Sequence, residues 1–182
     1  MAASRFAAMA DGFLGARIAH LGERRWRIEN HDGIETVRFD HASTSAVDFE
    51  RSEGVVGQTH FQGSLYVALD NAVAEPVVAL RTYDRPDRNP EAPVPYLVEA
   101  RWRVEGLERH GPDWRFRAHG FGAGAFVWRV PTAGRYAVTA DAGDGPRPVT
   151  ATAGQDGVLT FTLPVAGEGG VDVTVRREGT AP

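Results

Sequence analysis

The chain has 182 residues, 42% apolar and 24% charged, a formal charge of −4, no cysteine and no lysine, so all 20 basic side chains are arginine. The missing cysteine excludes thiol catalysis, disulfides and thiolate metal sites, and the missing lysine excludes a Schiff-base nucleophile and a P-loop lysine. The composition is that of a globular protein of about one domain; its negative charge argues against general nucleic-acid binding, and no apolar run approaches the roughly 18 residues that cross a bilayer.

The opening MAASRFAAMADGFLGARI carries Arg5 and Asp11 and lacks the uninterrupted apolar stretch of a signal peptide. The expected location is therefore the cytoplasm, or outside it if the sequence is a piece of a longer exported protein. Phe6, Met9, Ala10 and Phe13 recur at spacings of three and four, which predicts a short amphipathic helix within 1–16, ended by Gly12 and Gly15.

From Arg17 onward the period changes to two, the mark of half-buried strands. Residues 25–29 and 36–40 flank His31-Asp32-Gly33, which reads as a hairpin with Asp-Gly supplying the positive-φ turn. The runs 54–57, 64–69 and 76–80 are too short for helices and are bounded by Gly, Pro or Asn, so they read as strands. Residues 83–95 carry four prolines and five charges and read as an exposed loop.

Val98, Ala100, Trp102 and Val104 alternate with charged residues, as do Trp114, Phe116 and Ala118, and the turn-rich EGLERHGPD between them suggests an antiparallel pair. Residues 125–130, 136–140, 148–152, 158–163 and 171–175 add further strands. The pattern predicts an all-β chain: an antiparallel β-sandwich of ten or more short strands with one short N-terminal helix. The expected organisation is a helix at 1–16, a main sandwich over 17–130, and closing strands or a small β-module over 131–178.

None of the six histidines sits in an H-x-x-x-H or H-x-H spacing, and G-x-S-x-G is missing, so the sequence assigns no catalytic residue, no metal and no cofactor. Gly120-Phe121-Gly122-Ala123-Gly124 has the glycines of a nucleotide loop but not its strand–loop–helix setting, and reads as a turn. Arg101, Arg103, Arg115 and Arg117 share one face if the hairpin forms. They would grip carboxylates or sulfates of an acidic polymer, or pair across the strands with Glu99 and Glu105. Trp26, Trp102 and Trp114 alternate with arginine and are expected inward; Tyr66, Tyr83 and Tyr96 are expected near loops, where they would stack on sugars.

The stretch SEGVVGQTHFQGSLYVALD (52–70), with RWRIENHDGIETVRFDHA (25–42) and PYLVEARWRVEGL (95–107), resembles the β-sandwich region that follows the catalytic barrel in some bacterial polysaccharide deacetylase-like proteins. The tail GRYAVTA…DGVLTFTLP is similar to the closing β-module of many carbohydrate-active enzymes. The resemblance covers most of 17–176 and implies a polysaccharide-processing context, with the N-terminal helix the last helix of a barrel. The acidic base motif and paired-histidine metal motif of that family are not among these residues, so no catalytic residue is carried over.

The leading expectation is a non-catalytic β-sandwich module tied to polysaccharide processing. It would bind glycan through Arg101, Arg103, Arg115 and Arg117 with Tyr66, Tyr83 or Tyr96, or support a catalytic barrel domain, with no nucleic acid and no membrane as partners. A competing reading is a small hydrolase or lyase, which requires several of His41, His60, His119, Asp40, Asp70 and Glu50 to converge in one pocket. A third is a protein-interaction subunit docking through a sheet edge or the N-terminal helix.

Overall fold

The computed structural model describes residues 10, 13–31, 33–84, 93–154, 156–164 and 169–179. The chain is all-β and antiparallel, with sixteen strands among the described residues, and it divides into two compact units, Met1–Pro90 and Glu91–Pro182. The division falls in the proline-rich segment and not at 131–134, so the span 17–130, expected as one sandwich, covers all strands of the first unit and part of the second. Of the expected N-terminal helix, Ala10 and residues 13–15 are helical, and the rest lies outside the described residues, as do 85–92 of the expected loop. No helix among the described residues is long and apolar enough to cross a membrane.

In the first unit, β1 (Arg17–Gly22), β2 (Arg25–Glu29), β4 (Ser45–Val47) and β7 (Val77–Thr82) form one layer in the order β1-β2-β7-β4. In the other layer β6 (Ser64–Leu69) lies between β5 (Val55–Phe61) and β3 (Thr36–Phe39). Ile28, Val78 and Leu80 from the first layer meet Val55, Leu65, Val67 and Leu69 from the second, with Trp26, Val37 and Phe39 packed against them. Each fully buried side chain of this size contributes about 1.5–3 kcal/mol.

The hairpin expected of 25–29 with 36–40 does not form. β2 pairs with β1 and β7, and β3 pairs with β6. A turn does occur, with Ile34 N–H donating to the His31 carbonyl at 2.7 Å and Gly33 at φ 76°, but it carries the chain from one layer to the other. The reason is burial: Ile28 and Phe39 reach a common core only from opposite layers. His31 is buried at that crossing, with Nε2 2.8 Å from the Val73 carbonyl.

Two polar side chains stitch the short edge strand β4 to the facing layer. Gln58, 2% exposed, accepts from Val47 N–H at 2.7 Å, and His60 Nε2 lies 2.7 Å from the Ser45 carbonyl. The β1–β2 turn places Glu23 and Arg24 at φ 47° and 58°. Both side chains are then used: Glu23 pairs with Arg51, and Arg24 donates to Ser45 Oγ and Thr82 Oγ1.

In the second unit, β9 (Arg103–His110), β10 (Asp113–His119), β12 (Tyr136–Asp141), β13 (Arg147–Val149) and β16 (Val171–Arg177) form one layer in the order β13-β12-β16-β10-β9. The other layer runs β14-β15-β11-β8, from β14 (Ala151–Ala153), β15 (Val158–Leu163), β11 (Gly124–Arg129) and β8 (Tyr96–Ala100). The strands after Pro131 thus complete both layers of this unit.

The core between these layers is aromatic. Trp114 packs on Trp128 and Tyr136 at centroid distances of 5.3 and 5.9 Å, and Phe126 on Phe116, Phe161 and Trp102 at 5.7, 5.3 and 6.4 Å. Trp102 and Trp114 point inward as their alternation requires, Trp128 joins them, and Trp26 is half-buried in the first unit.

Three local expectations are corrected here. The alternating run 98–104 is not one strand: β8 ends at Ala100 and β9 begins at Arg103, in different layers, because Trp102 turns into the core at the crossing. EGLERH is strand and not turn; β9 continues to His110 and the hairpin turns at Gly111-Pro112. Finally, 148–152 is two short strands, β13 and β14, with Thr150 crossing between layers.

Candidate functional site

The outer face of β9, β10 and β16 is where three of the four candidate arginines meet. Register pairs Arg115 with Glu108 and Thr174, and Arg117 with Glu105 and Asp172. Between these two rungs β9 bulges at Gly106, whose φ of 62° and open surroundings suit glycine. The bulge opens a recess of about 350 Å³ lined by Gly106, Glu108, Arg115, Arg117, Asp172 and Thr174 among others.

Each of these three guanidiniums is held by a carboxylate. Arg115 binds Glu108 Oε2 through Nε at 2.9 Å and through its terminal nitrogen at 2.6 Å. Arg117 reaches both Asp172 oxygens at 3.1 Å and the Gly169 carbonyl at 2.5 Å. Arg103 lies 3.1 Å from Glu105. His119 Nε2 is 2.6 Å from the same Glu105, off the hydrogen-bonding line, so this is an electrostatic contact when the ring is protonated. The Arg115 hydrogen bonds hold the Glu108 carboxyl below the usual carboxylate range.

Arg101 does not join this face. It sits exposed at the β8–β9 crossing, its backbone N–H donating to the Ala125 carbonyl. Cross-strand ion pairs arise with Glu108 and Asp172; Glu105 pairs with Arg103 along β9 itself, and Glu99 lies on β8 in the other layer.

Tyr66 and Tyr83 belong to the first unit and Tyr96 to the second. Tyr96 is 0% exposed and has no ring face free for a ligand, because the β8 register turns it into the second unit's core. Tyr83 is half-buried in the first unit with its ring stacked on His60 at 6.1 Å. Tyr66 lies on the outer face of β6, opposite Arg38 on β3 and Thr59 on β5.

Arg38 and Asp40 form a two-point pair at 2.8 and 3.1 Å, and Ser64 Oγ donates to Asp40 at 3.1 Å. Hydrogen bonds from Arg38 and then Ser64 hold the Asp40 carboxyl below its usual range; the Arg38 guanidinium is raised, by Asp40 first and then by a hydrogen bond with Tyr66. Sequence reading missed Arg38 and Phe61 as partners of Tyr66. The alternation of Thr36, Arg38 and Asp40 carried the signal, but the strand pairing that brings them to Tyr66 did not show.

Three of the residues that an enzymatic reading requires are engaged locally. Asp40 is bound by Arg38 and Ser64, His60 faces the Ser45 carbonyl, and Asp70 accepts from Ala72 N–H within a turn. Glu50 is exposed, His41 is exposed at φ 53°, and His119 belongs to the second unit. Among the described residues no group of three or more His, Asp or Glu could hold a metal ion. The glycine loop 120–124 joins β10 to β11 and packs on Trp102, whose Nε1 donates to the Phe121 carbonyl at 3.3 Å.

A larger cleft of about 1100 Å³ opens in the second unit beside β13 and β14, lined chiefly by apolar and threonine side chains. Its charged lining residues, Asp144 and Arg147, pair with each other. No family model, curated protein or solved structure matches the chain.

Proposed function

We propose that this chain is a non-catalytic β-sandwich module that binds a neutral polysaccharide, with the recess at the Gly106 bulge as its principal subsite. The observation that carries this reading is the pairing of Arg115 with Glu108 and Arg117 with Asp172 around a recess of about 350 Å³. A sugar hydroxyl is donor and acceptor at once. An arginine already fixed against a carboxylate offers it both complements in a set geometry, with little further ordering to be done on binding.

Three carboxylates balance Arg103, Arg115 and Arg117, so at the recess an acidic polymer has to displace partners already in place. This favours neutral over acidic glycans. The recess is at the lower end of the ligand-site range of about 300–1,000 Å³, which suits one sugar ring of a chain that continues past it. The resemblance of 17–176 to the sandwich behind a deacetylase-like barrel supports a polysaccharide-processing setting.

Affinity electrophoresis of the intact chain through gels holding soluble cellulose, xylan, glucomannan or alginate tests the reading. Retardation is expected in at least one neutral gel, and Arg115→Gln with Arg117→Gln should reduce it. Free migration of the native chain in every gel would remove the binding role and leave the supporting one.

A further inference from the structure

We infer that the outer face of β3, β6 and β5 in the first unit is a second carbohydrate platform, on which Tyr66 and Phe61 take the apolar face of a pyranose ring while Arg38 and Asp40 bind its hydroxyls. The inference shares its ligand class with the proposed function but rests on different residues in a different unit.

The register fixes the arrangement. Arg38, Tyr66 and Thr59 are direct cross-strand partners, and Phe61 is opposite Ser64, so Phe61 and Tyr66 are diagonal neighbours. Such neighbours lie about 7–8 Å apart, close enough for one sugar residue and the next to contact both rings. The opposite side of the same strands, through Val37, Phe39, Leu65 and Val67, forms the first unit's core, so this face is the one turned away from it.

Phe61 is 59% exposed at the end of β5, next to the tight turn at Gln62 and Gly63. A phenylalanine on a rigid strand end adds nothing to the core there, and threonine would serve the strand as well. Beside it stand groups of the opposite character: Asp40 is held by a two-point ion pair with Arg38 and a hydrogen bond from Ser64, and Arg38 stands directly across from Tyr66. Asp40 is thereby an ionised acceptor of fixed orientation, with lone pairs left for a hydroxyl, and Arg38 is a donor that cannot swing away. An aromatic surface flanked by an oriented donor and acceptor matches a sugar, whose C–H face is apolar and whose rim is hydroxylated.

Titration of the ¹⁵N-labelled chain with cello-, xylo-, manno- and malto-hexaose, followed by amide NMR, tests this directly. At least one neutral hexasaccharide should shift the amides of Thr36–Asp40 and Phe61–Tyr66. Tyr66→Ala should weaken that response about tenfold and Phe61→Ala, at an exposed site that leaves the fold intact, about fivefold, as loss of aromatic contacts implies. Shifts at both faces, or at this face alone, support the platform; in the second case the recess of the second unit loses its role. Shifts confined to Gly106, Arg115, Arg117 and Thr174 overturn the platform and leave the proposed function standing. No shift at either face with any of the four sugars overturns both.

Discussion

Replacing Gly120 by alanine tests why the glycine loop exists. A Cβ there would lie 2.2 Å from Cγ and Cδ1 of Trp102, and one at Gly124 2.6 Å from its Cδ2 and Cε2, against 3.4–4 Å for ordinary contact. Trp102 is 3% exposed and packed on Phe126, so the ring has to move roughly 1 Å within a filled core. Overpacking of this kind costs about 1–3 kcal/mol; at 2 kcal/mol, the melting temperature of a domain this size falls by about 8–16 °C. Trp102→Ala alone should cost about 3–5 kcal/mol. In that background the clash is gone. Neither glycine has a left-handed backbone, so Gly120→Ala should then be neutral or gain about 0.4–1 kcal/mol from the stiffer unfolded chain. Urea unfolding followed by circular dichroism on the four chains of this cycle gives a coupling of about 2 kcal/mol or more if the loop is a slot for Trp102. An unchanged midpoint for Gly120→Ala, or equal losses in both backgrounds, would refute the reasoning.

Two further substitutions probe the joints of the sandwiches. Gln58→Leu leaves the Val47 N–H buried without its acceptor and should cost about 1–3 kcal/mol, with faster amide exchange at Val47 than elsewhere in the first unit's core. Tyr136→Phe removes the bond from its hydroxyl to the Thr132 carbonyl, 2.7 Å long, and should cost about 0.5–1.5 kcal/mol at neutral pH. Burial raises the Tyr136 phenol above its ordinary value of 10.0, opposed by Arg177 and aided by Asp113. Its contribution is therefore fully present below about pH 10 and lost as pH rises through the raised value, so Tyr136→Phe should flatten the alkaline limb of the stability curve, read as urea midpoint against pH.

Alternation made the all-β class legible, because Trp114, Phe116 and Ala118 on one side and Arg115 and Arg117 on the other leave little choice of which face is buried. Pairing was less legible. His31-Asp32-Gly33 has hairpin chemistry, yet Ile28 and Phe39 are better buried facing each other across two layers, and no local signal carries that preference. The same limit hid the break at Arg101-Trp102: the period of two runs straight through it, while the demand of the indole for a core slot ends one strand and starts another in the opposite layer.

For the candidate site, spacing placed Arg103, Arg115 and Arg117 on one face but gave neither the bulge at Gly106 nor Asp172 as the third carboxylate, which arrives from a strand more than fifty residues later. Tyr66 stood out by its type and Tyr96 did not differ from it in sequence; only the β8 register buries the second ring. Arg38, Asp40 and Phe61 became visible once β3 and β5 were seen to flank β6.

The most direct test of the central claim is calorimetric titration of the intact chain with the neutral polysaccharide that retards it most, and with alginate, at low and high salt. The paired arginines predict binding to the neutral polymer that changes little with ionic strength, weaker binding to alginate, and weakened neutral binding in the Arg115→Gln, Arg117→Gln chain. Binding to alginate alone, abolished by salt, or no heat with either polymer would contradict it.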